Sequence, residues 1–243
     1  FGLHIDDIFK LVDEDDHEEK AVFSILDQDN SESFEYSKER RAKLQNRRGN
    51  LLDIYYNTSQ IHLPDGQTHG YIIVFTDISE FVEAQKQIEY LSLHDDLTGL
   101  YNRHYLRDAL HRLDSKRLLP ITIMVLDING LKAINDSYGH DEGDKLIKLT
   151  ADFLRSNYRQ EDIVARIGGD EFCILLPNTS ALVAEGIKER LLQGAGKQKR
   201  TRHPISLSIG YAVKTDENED IDHTLIQADR NMYIHKRQQK AAG

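Results

Sequence analysis

Two runs of apolar, β-forming residues stand on either side of Gly168-Gly169-Asp170-Glu171: Ile163, Val164 and Ile167 before it, Phe172, Ile174, Leu175 and Leu176 after it. A glycine pair supplies the backbone torsions of a tight hairpin turn, and near-continuous apolar runs mark strands covered on both faces. The chain must therefore bury a hairpin inside a larger sheet while leaving two adjacent acids at its tip. Neighbouring carboxylates repel one another unless a cation lies between them, so an ordinary turn has no reason to carry them.

Around this hairpin the pattern alternates. It predicts a helix over about 102–115, a strand over 121–127 and helices over about 130–138 and 141–157. Strands at 163–167 and 171–176, a helix at about 180–193, a strand at 205–213 and a helix at 222–238 follow. This is an α/β domain, and a chain of 243 residues leaves room for a second one. Gly194-Ala195-Gly196-Lys197-Gln198-Lys199-Arg200 reads as a mobile basic loop.

Residues 1–78 have a different character. Ile5, Ile8, Phe9 and Val12, then Ala21, Val22, Ile25 and Leu26, predict short helices. From Phe34 onward, segments rich in Tyr, Ile and Val are broken at Arg48-Gly49-Asn50 and Pro64-Asp65-Gly66, which predicts a three-stranded antiparallel meander. Asp77 or Ser79 then caps a helix over 79–93. Phe81, Ala84, Ile88 and Leu91 form a seam along it, to be buried either by a second parallel copy or against the helix's own domain.

No apolar run approaches the roughly 18 residues that a membrane span requires, so no membrane contact is expected. Cys173 is the only cysteine, which excludes an intrachain disulfide and a multi-cysteine zinc site. With no signal-peptide pattern at Phe1-Gly2-Leu3-His4, the expected location is cytoplasmic. The net charge is -10, and positions 1–78 hold 16 of the 41 acids but 8 of the 31 Lys and Arg residues. Such a balance speaks against a DNA or RNA partner, which would demand clustered basic residues.

Asp127 closes the apolar strand 121–127. A lone strand-end Asp is usually a helix cap, but with Asp170 and Glu171 it completes a set of three carboxylates suited to Mg²⁺ and phosphoryl transfer. Asp127-Ile128-Asn129-Gly130-Leu131-Lys132 turns from strand into helix, where free N-H groups and Lys132 can face phosphates. In the polar segment that follows, an Asn135 amide and an Asp144 carboxylate together match guanine and not adenine; helix capping is the alternative.

Taken in order, Asp95-Asp96-Leu97-Thr98-Gly99-Leu100-Tyr101-Asn102-Arg103, the 127–144 segment, Gly168 to Phe172, Ser206-Leu207-Ser208-Ile209-Gly210 and Ala228-Asp229 resemble the GGDEF-family diguanylate cyclases over about residues 92–240. The resemblance implies a palm-like nucleotidyl-cyclase fold and the condensation of two GTP into cyclic di-GMP and pyrophosphate by a homodimer. It implies two Mg²⁺ ions per site, with Mn²⁺ possible, on Asp127, the Ile128 carbonyl, Asp170 and Glu171, with Asp170 as candidate base. Asn135, His140 and Asp144 would line the guanine and ribose side, Gly130, Leu131 and Lys132 the phosphates, with Lys236 and Lys240 adding charge; a structural hydrogen bond is the alternative for His140. Arg159 and Asp162, as an RxxD pair, and Arg190 would bind cyclic di-GMP as feedback inhibitor.

Asn129 and Leu131 depart from the family's usual acid and phenylalanine, and Lys240 stands near the end of the chain where an arginine is usual. These departures keep an alternative open: a catalytically weak domain that acts as a receptor for GTP or cyclic di-GMP. Residues 1–78 resemble a PAS sensor domain, truncated at its N-terminus, with an Asp77-Ile78-Ser79 exit into a signalling helix at 79–93 and the cyclase domain at 94–243. The PAS ligand stays open: no cysteine is present for a flavin adduct, and His4, His17, His62 and His69 are the candidates for haem. The expected whole is an α/β (α+β) chain: an antiparallel PAS-like sheet with short helices, a connecting helix, and the cyclase domain.

Overall fold

The computed structural model describes residues 10–12, 19–20, 40–45, 49–159, 161–197 and 203–242. The chain divides into two units, 1–88 and 89–243.

In the first unit, β1 (Lys10–Val12), β2 (Glu19–Lys20), β3 (Arg40–Gln45), β4 (Leu51–His62) and β5 (Thr68–Asp77) form one antiparallel sheet in the order β2-β1-β3-β4-β5. The expected meander is β3-β4-β5. Its second turn is closed by the Gly66 N-H donating to the Leu63 carbonyl at 2.9 Å, with Gly66 at φ +85° after Pro64 and Asp65. Ala42, Leu44, Ile54 and Tyr56 are the buried centre, packed by Leu52, Ile73 and Phe75. One expectation is corrected here: Lys10–Val12 is a strand and not part of a helix. The edge of β3 offers unpaired N-H and C=O groups, and pairing with them outweighs a short helical periodicity. His4, Ile5, Ile8, Phe9, His17, the patch from Ala21 to Leu26, Phe34 and Arg48 lie outside the described residues.

Asp77 Oδ1 accepts from the Ser79 N-H at 2.9 Å, and α1 (Ser79–Leu93) begins there as the sequence predicts. Phe81, Ile88 and Leu91 on this helix are exposed.

The second unit is built on β6 (Ile121–Ile128), β7 (Ile163–Arg166), β8 (Glu171–Leu176) and β9 (Leu207–Lys214), paired antiparallel throughout in the order β7-β8-β6-β9. All eight residues of β6 are buried, and side-chain alternation splits them between two cores. Met124, Leu126 and Ile128 pack with α4 (His140–Arg155) and α5 (Ala181–Ala195) through residues such as Leu146, Leu154 and Leu191. Ile121, Ile123 and Val125 pack with α2 (Arg103–Leu113) and α6 (Ile221–Ala242) through Leu106, Leu110, Ala228 and Met232. The short α3 (Leu131–Tyr138) follows β6 directly. At Gly210 the backbone of α6 comes so close that a Cβ would stand 1.8 Å from the Met232 nitrogen, so only glycine lets this helix lie on β9. α6 runs to Ala242, four residues past its expected end, which places Gln239 and Lys240 on the helix.

Candidate active site

Asp127 and Glu171 are register partners across β6 and β8. Both carry odd numbers, so they point to the face of the sheet that holds Ile123, Val125, Cys173 and Leu175, beneath α6. At the hairpin tip the Ile128 N-H donates to the Asp170 carbonyl at 3.0 Å, and the Ile167 N-H to the Glu171 carbonyl at 2.9 Å. The turn that carries both acids is thereby fixed to the end of β6.

The acids are held in an electrostatically uneasy state. Asp127 is 3% exposed; its Oδ2 accepts from Lys236 Nζ at 2.5 Å, while its Oδ1 is buried without a partner. Burial raises its pKa, opposed by the Lys236 bond, and the charge of Asp170 adds to the rise. Burial also raises the pKa of Glu171, followed by the charges of Asp170, Asp127 and Asp229, with Lys236 acting against them.

Beside this edge lies a cavity of about 850 Å³. Gly130, at φ +77°, caps α3, and its neighbours Leu131 and Lys132 form one wall. Asp170 and the Ile128 backbone form another, and Lys236 and Lys240, one turn apart on α6, a third. Seven of the residues singled out in the sequence therefore line one cavity, with Asp127 and Glu171 in the sheet next to it.

Asn129, Ser206, Asp136 and Gln239 also line it and were not singled out as binding residues. Asn129 Nδ2 donates to Gln239 Oε1 at 2.7 Å and to Ser206 Oγ at 3.1 Å; Ser208 Oγ donates to Asn129 Oδ1 at 2.8 Å; Gln239 Nε2 donates to the Leu207 carbonyl at 3.2 Å. This network ties the loop between β6 and α3 to the last turns of α6. The three-residue step from Lys236 to Gln239 is the signal that could have found it, since residues so spaced share a helix face.

A second support lies behind the hairpin. Arg166 Nη1 donates to Asp95 Oδ1 at 3.0 Å and Oδ2 at 3.1 Å, and its Nη2 donates to the Gly169 carbonyl at 2.9 Å. Asp95 Oδ1 also accepts from the Thr98 N-H and hydroxyl at 3.0 and 2.7 Å. Asp95 thus anchors, through Arg166, the turn that presents Asp170.

The remaining sequence candidates are placed as follows. Asn135 sits on α3 against the first turn of α4, where Asp144 is half-buried and His140 is exposed. The Arg159 N-H donates to Asp162 Oδ2 at 2.9 Å, and the Arg159 guanidinium faces Glu161 at 3.7 Å. Arg190 donates to the Asn157 carbonyl at 3.2 Å. Gln160 and residues 198–200 of the basic loop lie outside the described residues.

The expected cradle of three carboxylates is an open edge and not a closed cage. Among the described residues no three His, Cys, Asp or Glu side chains are grouped so as to hold a metal ion. The Lys236 ammonium is the cation that faces Asp127. The donor set still fits a hard divalent cation, because Asp127 Oδ1 is buried and unpaired and the acids that act on it and on Glu171 bring carboxylate oxygens.

Comparison with known proteins matches residues 92–242 to the family described as diguanylate cyclase, GGDEF domain. The chain is 31% identical over 198 residues to the probable diguanylate cyclase DgcE of Escherichia coli strain K12, a match covering 78% of this chain and 18% of that protein. It is 36% identical over 172 residues to the bifunctional diguanylate cyclase/cyclic di-GMP phosphodiesterase MucR of Pseudomonas aeruginosa, covering 66% of this chain and 24% of MucR. It therefore spans about a quarter or less of the length of these relatives. The coiled coil and GGDEF domain of DgcB from Caulobacter crescentus, solved in complex with c-di-GMP, superposes with a TM-score of 0.61 at 26% identity, over 66% of this chain and 89% of that one.

Proposed function

The chain belongs to the GGDEF family over residues 92–242, and from that premise we propose that it is a diguanylate cyclase that condenses two GTP molecules into cyclic di-GMP. The observation that carries this reading is the pairing of Asp127 with Glu171 at one end of the two inner strands of the sheet, beside a cavity walled by Lys132, Lys236 and Lys240. Acids next to bases are what a triphosphate that arrives with a cation requires.

In this reading Lys132, Lys236 and Lys240 hold the phosphates together with the first N-H groups of α3. Asn135 and Asp144 take the guanine edge and His140 the ribose side. Asp127, the Ile128 carbonyl, Asp170 and Glu171 would hold Mg²⁺, two ions per site, or Mn²⁺. Bound there, the cation neutralises phosphate charge and polarises the α-phosphate. The 3'-oxygen of one GTP forms a bond to the α-phosphorus of the other as the bond to the β-phosphate oxygen breaks. Asp170 accepts the hydroxyl proton and pyrophosphate leaves. The same exchange in the opposite sense closes the ring.

Because each subunit holds one GTP, two copies must face each other, and the exposed Phe81, Ile88 and Leu91 seam of α1 is the surface that pairs them. Residues 1–78 act as a PAS-like sensor that sets this pairing through α1. Arg159, Asp162 and Arg190 bind the product and restrain turnover. Among the described residues no helix is long and apolar enough to cross a membrane. Incubation of the purified chain with GTP and Mg²⁺, with and without added cyclic di-GMP, followed by nucleotide chromatography, tests the reading. It predicts cyclic di-GMP that accumulates more slowly when product is supplied. Binding of GTP without turnover would favour the receptor alternative.

A further inference from the structure

Gly143 lies in the first turn of α4, buried, directly against Asn135 of α3. A Cβ at this position would stand 1.8 Å from Asn135 Oδ1, 2.9 Å from Cγ and 3.3 Å from Nδ2, so the carboxamide rests on bare helix backbone. Nothing in the backbone asks for glycine here. Gly143 has ordinary helical torsions, unlike Gly130 and Gly139 with their positive φ. Glycine inside a helix is less favourable than alanine by roughly 0.5–1 kcal/mol. The local fold would gain from a methyl group, and the only atoms that forbid it belong to Asn135. Asn135 Oδ1 is itself buried without a hydrogen-bond partner, an arrangement that costs free energy and that packing alone does not explain.

We infer that Gly143 is a positioning residue for base selection: by withholding a side chain it seats the Asn135 carboxamide with its oxygen against α4, leaving the amide NH₂ as the donor presented to a purine. A 6-oxo purine accepts from that donor, whereas the 6-amino group of adenine opposes it. Asp144, the next residue along α4, is then in place to accept from N1-H of the same base. This inference rests on the reading of the chain as a guanine-nucleotide enzyme and adds the residue that sets the amide's orientation.

The test uses α,β-methylene analogues of GTP and ATP, in which the bond broken during turnover is blocked. Dissociation constants for both are measured on the wild-type chain, Gly143→Ala, Asn135→Ala and the double variant, alongside thermal midpoints. The expectation is that Gly143→Ala reduces the guanine-over-adenine preference by about tenfold or more, with an unchanged or higher midpoint. Asn135→Ala should give the same reduction, and the double variant no more than either single one. A merely structural glycine would lower the midpoint and leave the preference of the folded molecules intact. Should Gly143→Ala be less stable, adding Asn135→Ala restores the midpoint if the clash is the cause; failure to restore it overturns the inference, as does a wild-type preference in Gly143→Ala. A wild-type chain that binds neither analogue contradicts the guanine-nucleotide reading instead.

Discussion

Lys236 Nζ lies 2.5 Å from Asp127 Oδ2, joining α6 to the end of β6 through a carboxylate whose side chain is 5% exposed. The two residues are 109 positions apart. The contact makes Lys236 the counter-charge of the most buried of the three acids and places α6 in the site.

Removing one partner of a buried pair strands the other. Lys236→Met is therefore expected to cost about 2–3 kcal/mol at neutral pH, and Lys236→Met with Asp127→Asn to recover most of it. Glu171→Gln acts in the opposite sense, because its carboxylate is pushed up by burial and by Asp170, Asp127 and Asp229. Neutralising it should raise the unfolding free energy, by less than ~1 kcal/mol. Urea unfolding of the wild-type chain and the three variants at pH 7 checks both signs.

Burial raises the pKa of Asp95, but its bonds to Thr98 and Arg166 outweigh that effect and hold it below the usual carboxylate value. A depressed carboxylate contributes stability that is fully present above its unfolded value, near 3.9, and is lost as pH falls through the folded value. Asp95→Asn should thus lower stability by about 1–3 kcal/mol at pH 7, and the difference from wild type should shrink on acidification towards pH 3. The same substitution loosens Arg166 from the Gly169 carbonyl, and turnover should fall by about tenfold as the turn carrying Asp170 loses its fixed position.

Asn129 donates to Gln239 Oε1 while Gln239 Nε2 donates to the Leu207 carbonyl. Asn129→Asp sets two acceptors against each other, and a Gln239 flip to relieve this turns its oxygen towards Leu207. A loss of about 1 kcal/mol is expected from Asn129→Asp, and much less in a Gln239→Ala background. A double-mutant cycle by urea unfolding reads the coupling directly.

The seam on α1 leaves Phe81 at 62% and Ile88 at 68% exposure. If it pairs two copies, Phe81→Glu with Ile88→Glu should shift the sedimentation coefficient to that of a monomer and reduce turnover by at least about a hundredfold, since neither half site can close the ring alone. Unchanged sedimentation would place the dimer contact elsewhere.

Local chemistry made much of this legible. The apolar runs around Gly168 and Gly169 announced β7 and β8, and the apolar run at 121–127 announced β6, although not that Thr122 and Asp127 would be buried with the rest of it. Asp127 and Glu171 could be suspected of meeting, because both lie at the ends of strands bound for one sheet. What stayed hidden depends on pairing across long distances. Lys10–Val12 becomes a strand because the edge of β3 is available, and no residue near it says so. Helical spacing could have put Gln239 on the face of Lys236, but not its contacts with Asn129 and the Ser208 hydroxyl, which come from distant segments. Gly143 shows its purpose only when the space it leaves is seen to be filled by Asn135.

The most direct measurement is the joint yield of pyrophosphate and cyclic di-GMP from GTP and Mg²⁺, for the wild-type chain and for Asp127→Asn. The account predicts two pyrophosphates released per cyclic dinucleotide in the wild type and at least about a thousandfold less of both in Asp127→Asn, with GTP still bound. Equal yields from the two proteins, or pyrophosphate without any cyclic dinucleotide, would contradict it.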